Sequence, residues 1–202
     1  MAERVYRVMV DRELRVEGNA HSTPVGCSKP GSGGSQMILT YDDALAAISE
    51  GETDWETLTQ RVGRNDLPAI LSEVAWSMTT TDLAAALRDA WVSAEHPEDY
   101  LDREEWIDMF EWVGYRHNLE RVTPPAEIIL YRGGLKADRM AWTADRSLAE
   151  WFRDRCDGNL WTATAHSGDL LAYYDGVRTG DRTGLGETEF VVNPAGLKFE
   201  SS

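Results

Sequence analysis

The sequence IILYRGG at residues 128–134 marks the point where this chain changes from helical to strand-like patterning. Its apolar run, Ile128 to Tyr131, predicts a short strand. Arg132 follows at the strand end, where a guanidinium is held rigidly and offers a planar fork of donors for phosphate oxygens. Gly133 and Gly134 would let a ligand approach the backbone. The alternative is an ordinary surface arginine before a turn.

A second motif, MAWT at residues 140–143, ends the next short strand and leads into a helix that Asp145 can cap. A junction of this kind presents backbone N–H groups toward a ligand. We expect Trp142 to wall a pocket and Thr143 to hydrogen-bond a ribose or an amide. The alternative is a core tryptophan followed by a turn threonine.

A third motif, ETEFVV at residues 187–192, places two carboxylates on one strand. Glu187 and Glu189 are two residues apart, so they point to the same strand face. One carboxylate can stabilise an oxocarbenium-like sugar centre, and a second can orient or deprotonate an acceptor. The polar segment 175–186 before them is predicted to be a recognition loop. The alternatives are an edge strand with a charged solvent face and a plain connector.

Residues 40 to 113 are predicted to be a run of helices, because capping residues and glycine stops recur at the expected boundaries. The predicted starts are Thr40, Asp54, Pro68, Thr81 and Asp102, and the predicted stops are Gly51, Gly63 and Gly114. The last helix carries a buried stripe at i, i+3, i+4 and i+7, formed by Trp106, Met109, Phe110 and Val113.

Beyond residue 125 we predict strands at 128–131, 160–166, 170–174, 189–192 and 197–199, with one inserted helix from Ser147 to about Arg155. The fold class is therefore α+β, a helical lobe followed by a mostly antiparallel sheet region. We expect residues 1–36 to form a strand, Val5 to Val10, and a flexible loop. We expect residues 37–202 to form a single domain, with its helical lobe at 37–120 and its β core at 121–202.

The composition narrows the classes of partner. The formal net charge of −15 repels phosphate backbones, so a nucleic-acid partner is disfavoured. No apolar stretch is long enough for a membrane span, and the N-terminus lacks an apolar signal core. The two distant cysteines fit a reducing compartment, so a cytoplasmic location is expected. No histidine shows zinc-ligand spacing, and no metal is predicted.

In order and spacing the three motifs resemble those of the ADP-ribosyltransferases of the arginine–serine–glutamate class, the cholera-toxin-like branch. The sequence pattern around the motifs is closest to that of small bacterial and phage-encoded members. Such proteins carry a tyrosine-arginine-glycine strand, a serine-tryptophan-threonine strand that enters a helix, and a glutamate-led strand that ends near proline. Here these correspond to 131–133, 141–143 and 187–194. The resemblance covers about residues 100 to 197.

The resemblance implies a split β-sandwich that grips NAD, as substrate, in an extended cleft. Arg132, with Gly133 beside it, would anchor the nicotinamide ribose and the phosphates. Trp142 and Thr143 would shape the nicotinamide pocket, and Phe152 would stack near the ring.

The resemblance also implies a catalytic set of Glu189, Glu187 and Arg132. Glu189 would engage the ribose 2′-hydroxyl as nicotinamide leaves, and Glu187 would assist the acceptor. The chain departs from the family at Ala141, where the usual serine hydroxyl helps to set the catalytic glutamate. Thr143 lies on the same strand face and is a candidate substitute. The alternatives are slower chemistry, an engineered knockout or a shifted motif.

The implied function is NAD-dependent mono-ADP-ribosylation of a protein side chain, with arginine as the expected acceptor, by a toxin-like bacterial or phage-encoded effector in the bacterial cytoplasm. One alternative is an NAD glycohydrolase, in which water is the acceptor. Another is a non-catalytic nucleotide-binding or interaction module on the same fold. The last is a structural or adaptor protein in which the three motifs serve only to build the core.

Overall fold

A computed structural model of the chain describes residues 40–176 and 188–201. The described residues belong to one compact unit, built from helices and two sheets, which confirms the predicted α+β class. The predicted strand and loop of residues 1–36, Glu187, and the predicted recognition loop beyond Gly176 lie outside the described residues. Within those ranges, none of the helices has the length and apolar character needed to cross a bilayer.

The helical part precedes the sheets, as predicted. In chain order its α-helices are α1 Tyr41–Ser49, α2 Trp55–Thr59, α3 Leu67–Val74, α4 Thr80–Ser93, α5 Pro97–Tyr100 and α6 Arg103–Val113, with a 3₁₀ turn at Ala75–Ser77. The capping box at Thr40 is confirmed: Asp43 N donates to Thr40 Oγ1 at 3.2 Å, and Thr40 N donates to Asp43 Oδ2 at 3.0 Å. Gly51 and Gly114, at φ of 99° and 75°, follow α1 and α6 as predicted.

Two of the predicted helix boundaries are wrong. The N-cap of α4 is Thr79 rather than Thr81, because Thr79 Oγ1 accepts a hydrogen bond from Asp82 N at 3.2 Å. The second helix ends at Thr59, well before the predicted stop at Gly63. The short helix α5, which begins at Pro97, is absent from the elements that the sequence predicts.

Two sheets follow the helices. The strands are β1 Arg116–His117, β2 Glu120–Arg121, β3 Glu127–Gly134, β4 Ala141–Trp142, β5 Asn159–His166, β6 Leu170–Tyr174, β7 Glu189–Val192 and β8 Phe199–Ser201, with α7 at Arg146–Cys156. One sheet has the order β2-β1-β6-β7-β4 and the other β3-β5-β8. All neighbouring strands are antiparallel except β1 and β6, which agrees with the predicted mostly antiparallel region.

The five-stranded sheet is covered on both faces. One face packs against the helices, and the shared core includes Ala172, Tyr174 and Val191 with the predicted stripe of α6. The other face packs against the three-stranded sheet through Trp142, Leu170, Phe190 and Val192. Strand β7 therefore alternates between two cores, because successive side chains point to opposite faces.

The end of β6 is held to the β1–β2 hairpin by Asp175. Its carboxylate accepts a hydrogen bond from Asn118 Nδ2 at 2.6 Å and lies 2.8 Å from His117 Nε2. Side-chain hydrogen bonds from Asn118 and then His117 lower the pKa of Asp175.

Candidate functional site

The three sequence motifs meet where the two sheets join. Tyr131 on β3 and Thr143 exchange two backbone hydrogen bonds, with N···O distances of 2.7 and 2.9 Å. Strand β4 continues from this bridge into the other sheet, where Trp142 pairs with Phe190 of β7. The arginine, tryptophan–threonine and glutamate motifs are therefore successive spatial neighbours, although about 45 residues separate Thr143 from Thr188, whose hydroxyl oxygens lie 3.3 Å apart.

Arg132 is fixed at the end of β3 by two backbone carbonyls. Its Nε donates to Lys136 O at 3.0 Å, and its Nη1 donates to Ala141 O at 2.6 Å. Burial lowers the pKa of Arg132, while the negative charges of Glu98 and Glu189 act in the opposite direction. The guanidinium and the Glu189 carboxylate are thus close enough for their charges to interact, which places the first and third motifs in one electrostatic neighbourhood.

Glu189 begins β7 on the face that the helices cover. It pairs with Tyr174 of β6 across the sheet, and Val191, two residues on, lies in the helical core. Its Oε1 accepts a hydrogen bond from the indole Nε1 of Trp91, on α4. The residue is half-buried, and its carboxylate is bonded from the helical side of the sheet.

Glu98 is a site residue that the sequence analysis missed. Only 8% of its side chain is exposed, and it accepts hydrogen bonds from Met140 N at 2.9 Å and Arg103 Nε at 3.3 Å. Among the carboxylates acting on Arg132, Glu98 has the largest effect. Because α5 has only four residues, it gives no periodic pattern, and the sequence offered no signal for this contact.

Two further arginines lie near Tyr174, the cross-strand partner of Glu189. The Arg88 guanidinium carbon lies 5.7 Å from the centroid of the Tyr174 ring. Burial, followed by the negative charge of Glu189, raises the pKa of Tyr174, and the charges of Arg88 and Arg116 oppose that rise. Two cations therefore act on the tyrosine that pairs with Glu189.

Trp142 and Thr143 are buried beside the site. Trp142 is 2% exposed, its ring stacks on Phe199 at 5.7 Å, and its Nε1 donates to Arg139 O at 2.8 Å. Thr143 is 7% exposed, and its hydroxyl accepts a hydrogen bond from Asp145 N at 3.1 Å. The Trp142 ring therefore belongs to the core between the sheets, and the Thr143 hydroxyl is directed to Asp145 and Thr188 rather than to Glu189.

Gly133 is required for the packing of α7 on β3. A Cβ at this position would lie 2.0 Å from Ala149 O and 2.3 Å from Arg153 N, both backbone atoms of α7. The space beside this glycine is therefore filled by a helix, and the glycine does not open the backbone to a ligand on that side. Phe152 is half-buried on the same helix, with its ring edge-on to Trp151 at 4.9 Å.

The structure thus brings Arg132, Thr143 and Glu189 together and adds Trp91, Glu98 and Tyr174 to them. Phe152 lies beside β3 through its backbone, and Glu187 lies outside the described residues. In the ranges 40–176 and 188–201 no group of His, Cys, Asp or Glu side chains is arranged to hold a metal ion.

Compared with protein-family models, with curated proteins and with solved structures, the chain gives no significant match.

Proposed function

We propose that the chain is an NAD-dependent mono-ADP-ribosyltransferase with the split β-sandwich of that class. The observation that carries the proposal is the junction of the two sheets, where the Tyr131–Thr143 bridge and the Trp142–Phe190 pair bring Arg132 close enough to Glu189 for the carboxylate charge to oppose the lowering of the guanidinium pKa by burial. A phosphate-binding cation and a half-buried carboxylate in one neighbourhood suit a substrate that combines a diphosphate with a reactive ribose.

Arg132 would hold the phosphates and the nicotinamide ribose. The bonds to Lys136 O and Ala141 O use two of its donors, and a guanidinium has five N–H groups. Donors therefore remain for phosphate oxygens, and the side chain is already fixed before the ligand arrives. Arg88 and Arg116 would add to the positive potential that attracts the dinucleotide.

Glu189 would act on the ribose. In the reaction the C1′–N bond breaks with its electron pair passing to the ring nitrogen, and neutral nicotinamide leaves. The positive charge that develops on the sugar is stabilised by the carboxylate, which also accepts a hydrogen bond from the 2′-hydroxyl. A nucleophile of the acceptor protein then bonds to C1′ and gives up a proton, for which Glu187 is the proposed base.

The direct test compares Glu189→Gln with Glu200→Gln, a change at an exposed glutamate of β8. The amide keeps the shape of the carboxylate but removes its charge, so we expect nicotinamide release to fall about 100-fold or more, with NAD binding retained. Glu200→Gln should match the wild type. Release is measured by chromatography, and transfer by mass spectrometry after incubation with NAD and bacterial lysate.

Each result assigns a different role. ADP-ribose attached to a protein supports the transferase, and free ADP-ribose without a labelled protein makes water the acceptor, as in an NAD glycohydrolase. NAD binding without nicotinamide release by the wild type would reduce the chain to a nucleotide-binding module. Absence of NAD binding in calorimetry would refute the proposal.

A further inference from the structure

The strand position that faces Glu189 diagonally carries no hydrogen-bond donor. Ala141 pairs with Val191, and Val191 shares a strand face with Glu189 because the two are two residues apart. A side chain at 141 is therefore a diagonal cross-strand neighbour of Glu189, within reach of a polar group. The methyl group of Ala141 offers nothing to a carboxylate.

A donor reaches the same carboxylate from the helical side. The indole Nε1 of Trp91 donates to Glu189 Oε1 across 98 residues of sequence. An indole N–H can only donate a hydrogen bond, and an ionised carboxylate oxygen can only accept one. The direction of this hydrogen bond is therefore fixed. The terminal torsion of a glutamate is broad, and a directed donor at one oxygen restricts the rotation of the carboxylate plane.

Trp91 is itself held in place. It is 2% exposed, and its ring makes edge contacts with Trp106 at 5.0 Å and Phe110 at 5.5 Å, with interplanar angles of 88° and 78°. A side chain packed on several sides loses no further rotamer freedom when it bonds its partner. The donor is thus preorganised, which is the property that electrostatic catalysis needs.

We propose that Trp91 is the positioning residue for Glu189 and replaces the hydroxyl that is absent at position 141. This inference rests on the proposed function, since it assigns Glu189 to the reacting ribose. It makes the helical lobe a part of the reaction centre: α4 sets the orientation of a carboxylate that a strand carries.

The test compares Trp91→Phe with Trp55→Phe. Both changes remove one indole and one indole hydrogen bond to a carboxylate, since Trp55 Nε1 donates to Asp89 Oδ2 at 2.9 Å. Of the two tryptophans, Trp91 is the one that bonds Glu189. Hydrogen bonds to charged groups are the stronger kind, so we expect kcat for nicotinamide release to fall about 10- to 100-fold in Trp91→Phe. KM for NAD and the kinetics of Trp55→Phe should stay near wild type. Equal kcat values for the two variants, each folded by circular dichroism, would overturn the assignment.

A tryptophan analogue of the same shape removes the N–H group while keeping the ring in the core, so that the fold is retained. Benzothienylalanine at position 91, introduced by genetic-code expansion, replaces the N–H by sulfur and keeps the ring size, and it should reproduce the fall in kcat. If this variant has wild-type kcat, the indole N–H has no positioning role.

A spectroscopic readout separates this inference from the proposed function. In ¹H–¹⁵N spectra, Glu189→Gln should shift the Trp91 indole resonance and leave that of Trp55, which bonds Asp89, in place, whether or not the wild type releases nicotinamide. A wild type without release but with this shift would refute the proposed function while keeping the Trp91–Glu189 contact. An unmoved Trp91 resonance would refute the inference itself.

Discussion

Replacing Gly133 by alanine should move helix α7, because the added methyl group has no room. Its carbon would lie 2.0 Å from Ala149 O and 2.3 Å from Arg153 N, whereas ordinary contact begins at 3.4 Å. Relief of the closer contact requires a displacement of about 1.4 Å between β3 and α7. A regular α-helix joins these two atoms, i and i+4, by a hydrogen bond, so the methyl group would also intrude on a backbone bond.

The expected loss of stability is about 2–4 kcal/mol, from overpacking of about 1–3 kcal/mol and one weakened hydrogen bond of about 1 kcal/mol. For a domain of this size that corresponds to a fall in Tm of about 5–15 °C. Urea and thermal unfolding followed by circular dichroism measure both quantities.

Gly168→Ala is the matched control. A Cβ there meets nothing within 4 Å, so the change should be neutral or stabilise slightly through the unfolded chain. If Gly133→Ala and Gly168→Ala unfold at the same urea concentration, the close packing of α7 on β3 is wrong. Movement of α7 should also disturb Thr143, which precedes the helix, and thus weaken NAD binding under the proposed function.

Two other predictions concern the helix cap and the acid stability of the hairpin. Thr79→Ala should lower the free energy of unfolding in urea by about 1 kcal/mol, since it removes the N-cap of α4. Thr81→Ala should lower it much less. Equal losses in the two variants would contradict the assignment of Thr79 as the N-cap. The pKa of Asp175 is lowered from its ordinary value of 3.8 by hydrogen bonds from Asn118 and His117. Its contribution to stability is therefore full above pH 3.8 and is lost as the pH falls through the lower folded-state pKa. Asp175→Asn should flatten that acid decline in pH-dependent unfolding, and an unchanged slope would rule out this carboxylate as its source.

Local signals in the sequence predicted the helices best. The capping box at Thr40, the glycine after α6 at Gly114 and the carboxylate cap at Asp145 are each set by residues a few positions apart. Asp145 accepts hydrogen bonds from Ser147 N at 2.8 Å and Leu148 N at 3.3 Å. The error at α4 came from three adjacent threonines, among which only Thr79 has an aspartate three residues later.

Contacts between segments that are far apart in the chain could not be predicted from the sequence. The sequence predicts an opening for a ligand at Gly133, whereas a helix that starts 13 residues later fills that space. Trp91 reads as an ordinary core residue of a helix, and nothing within α4 indicates a partner on β7. The charge of Glu98 likewise acts on Arg132 only because the short helix α5 is folded against the β3–β4 connection, where Glu98 bonds Met140 N. The order of the motifs predicts which strands carry the candidate site, but the residues that support Arg132 and Glu189 depend on the three-dimensional arrangement.

Because β7 alternates between two cores, the odd or even position of Glu189 along the strand decides which core its carboxylate faces. Glu189 and Val191 fall on the helical side, while Phe190 and Val192 fall between the sheets. A shift of the pairing by one residue would invert that division. The Glu189 side chain would then lie among Leu130 and Trp142 in the core between the sheets, and the phenyl ring of Phe190 would face the helices. The pairing register of β7 is therefore strongly specified, because both faces of the strand are buried.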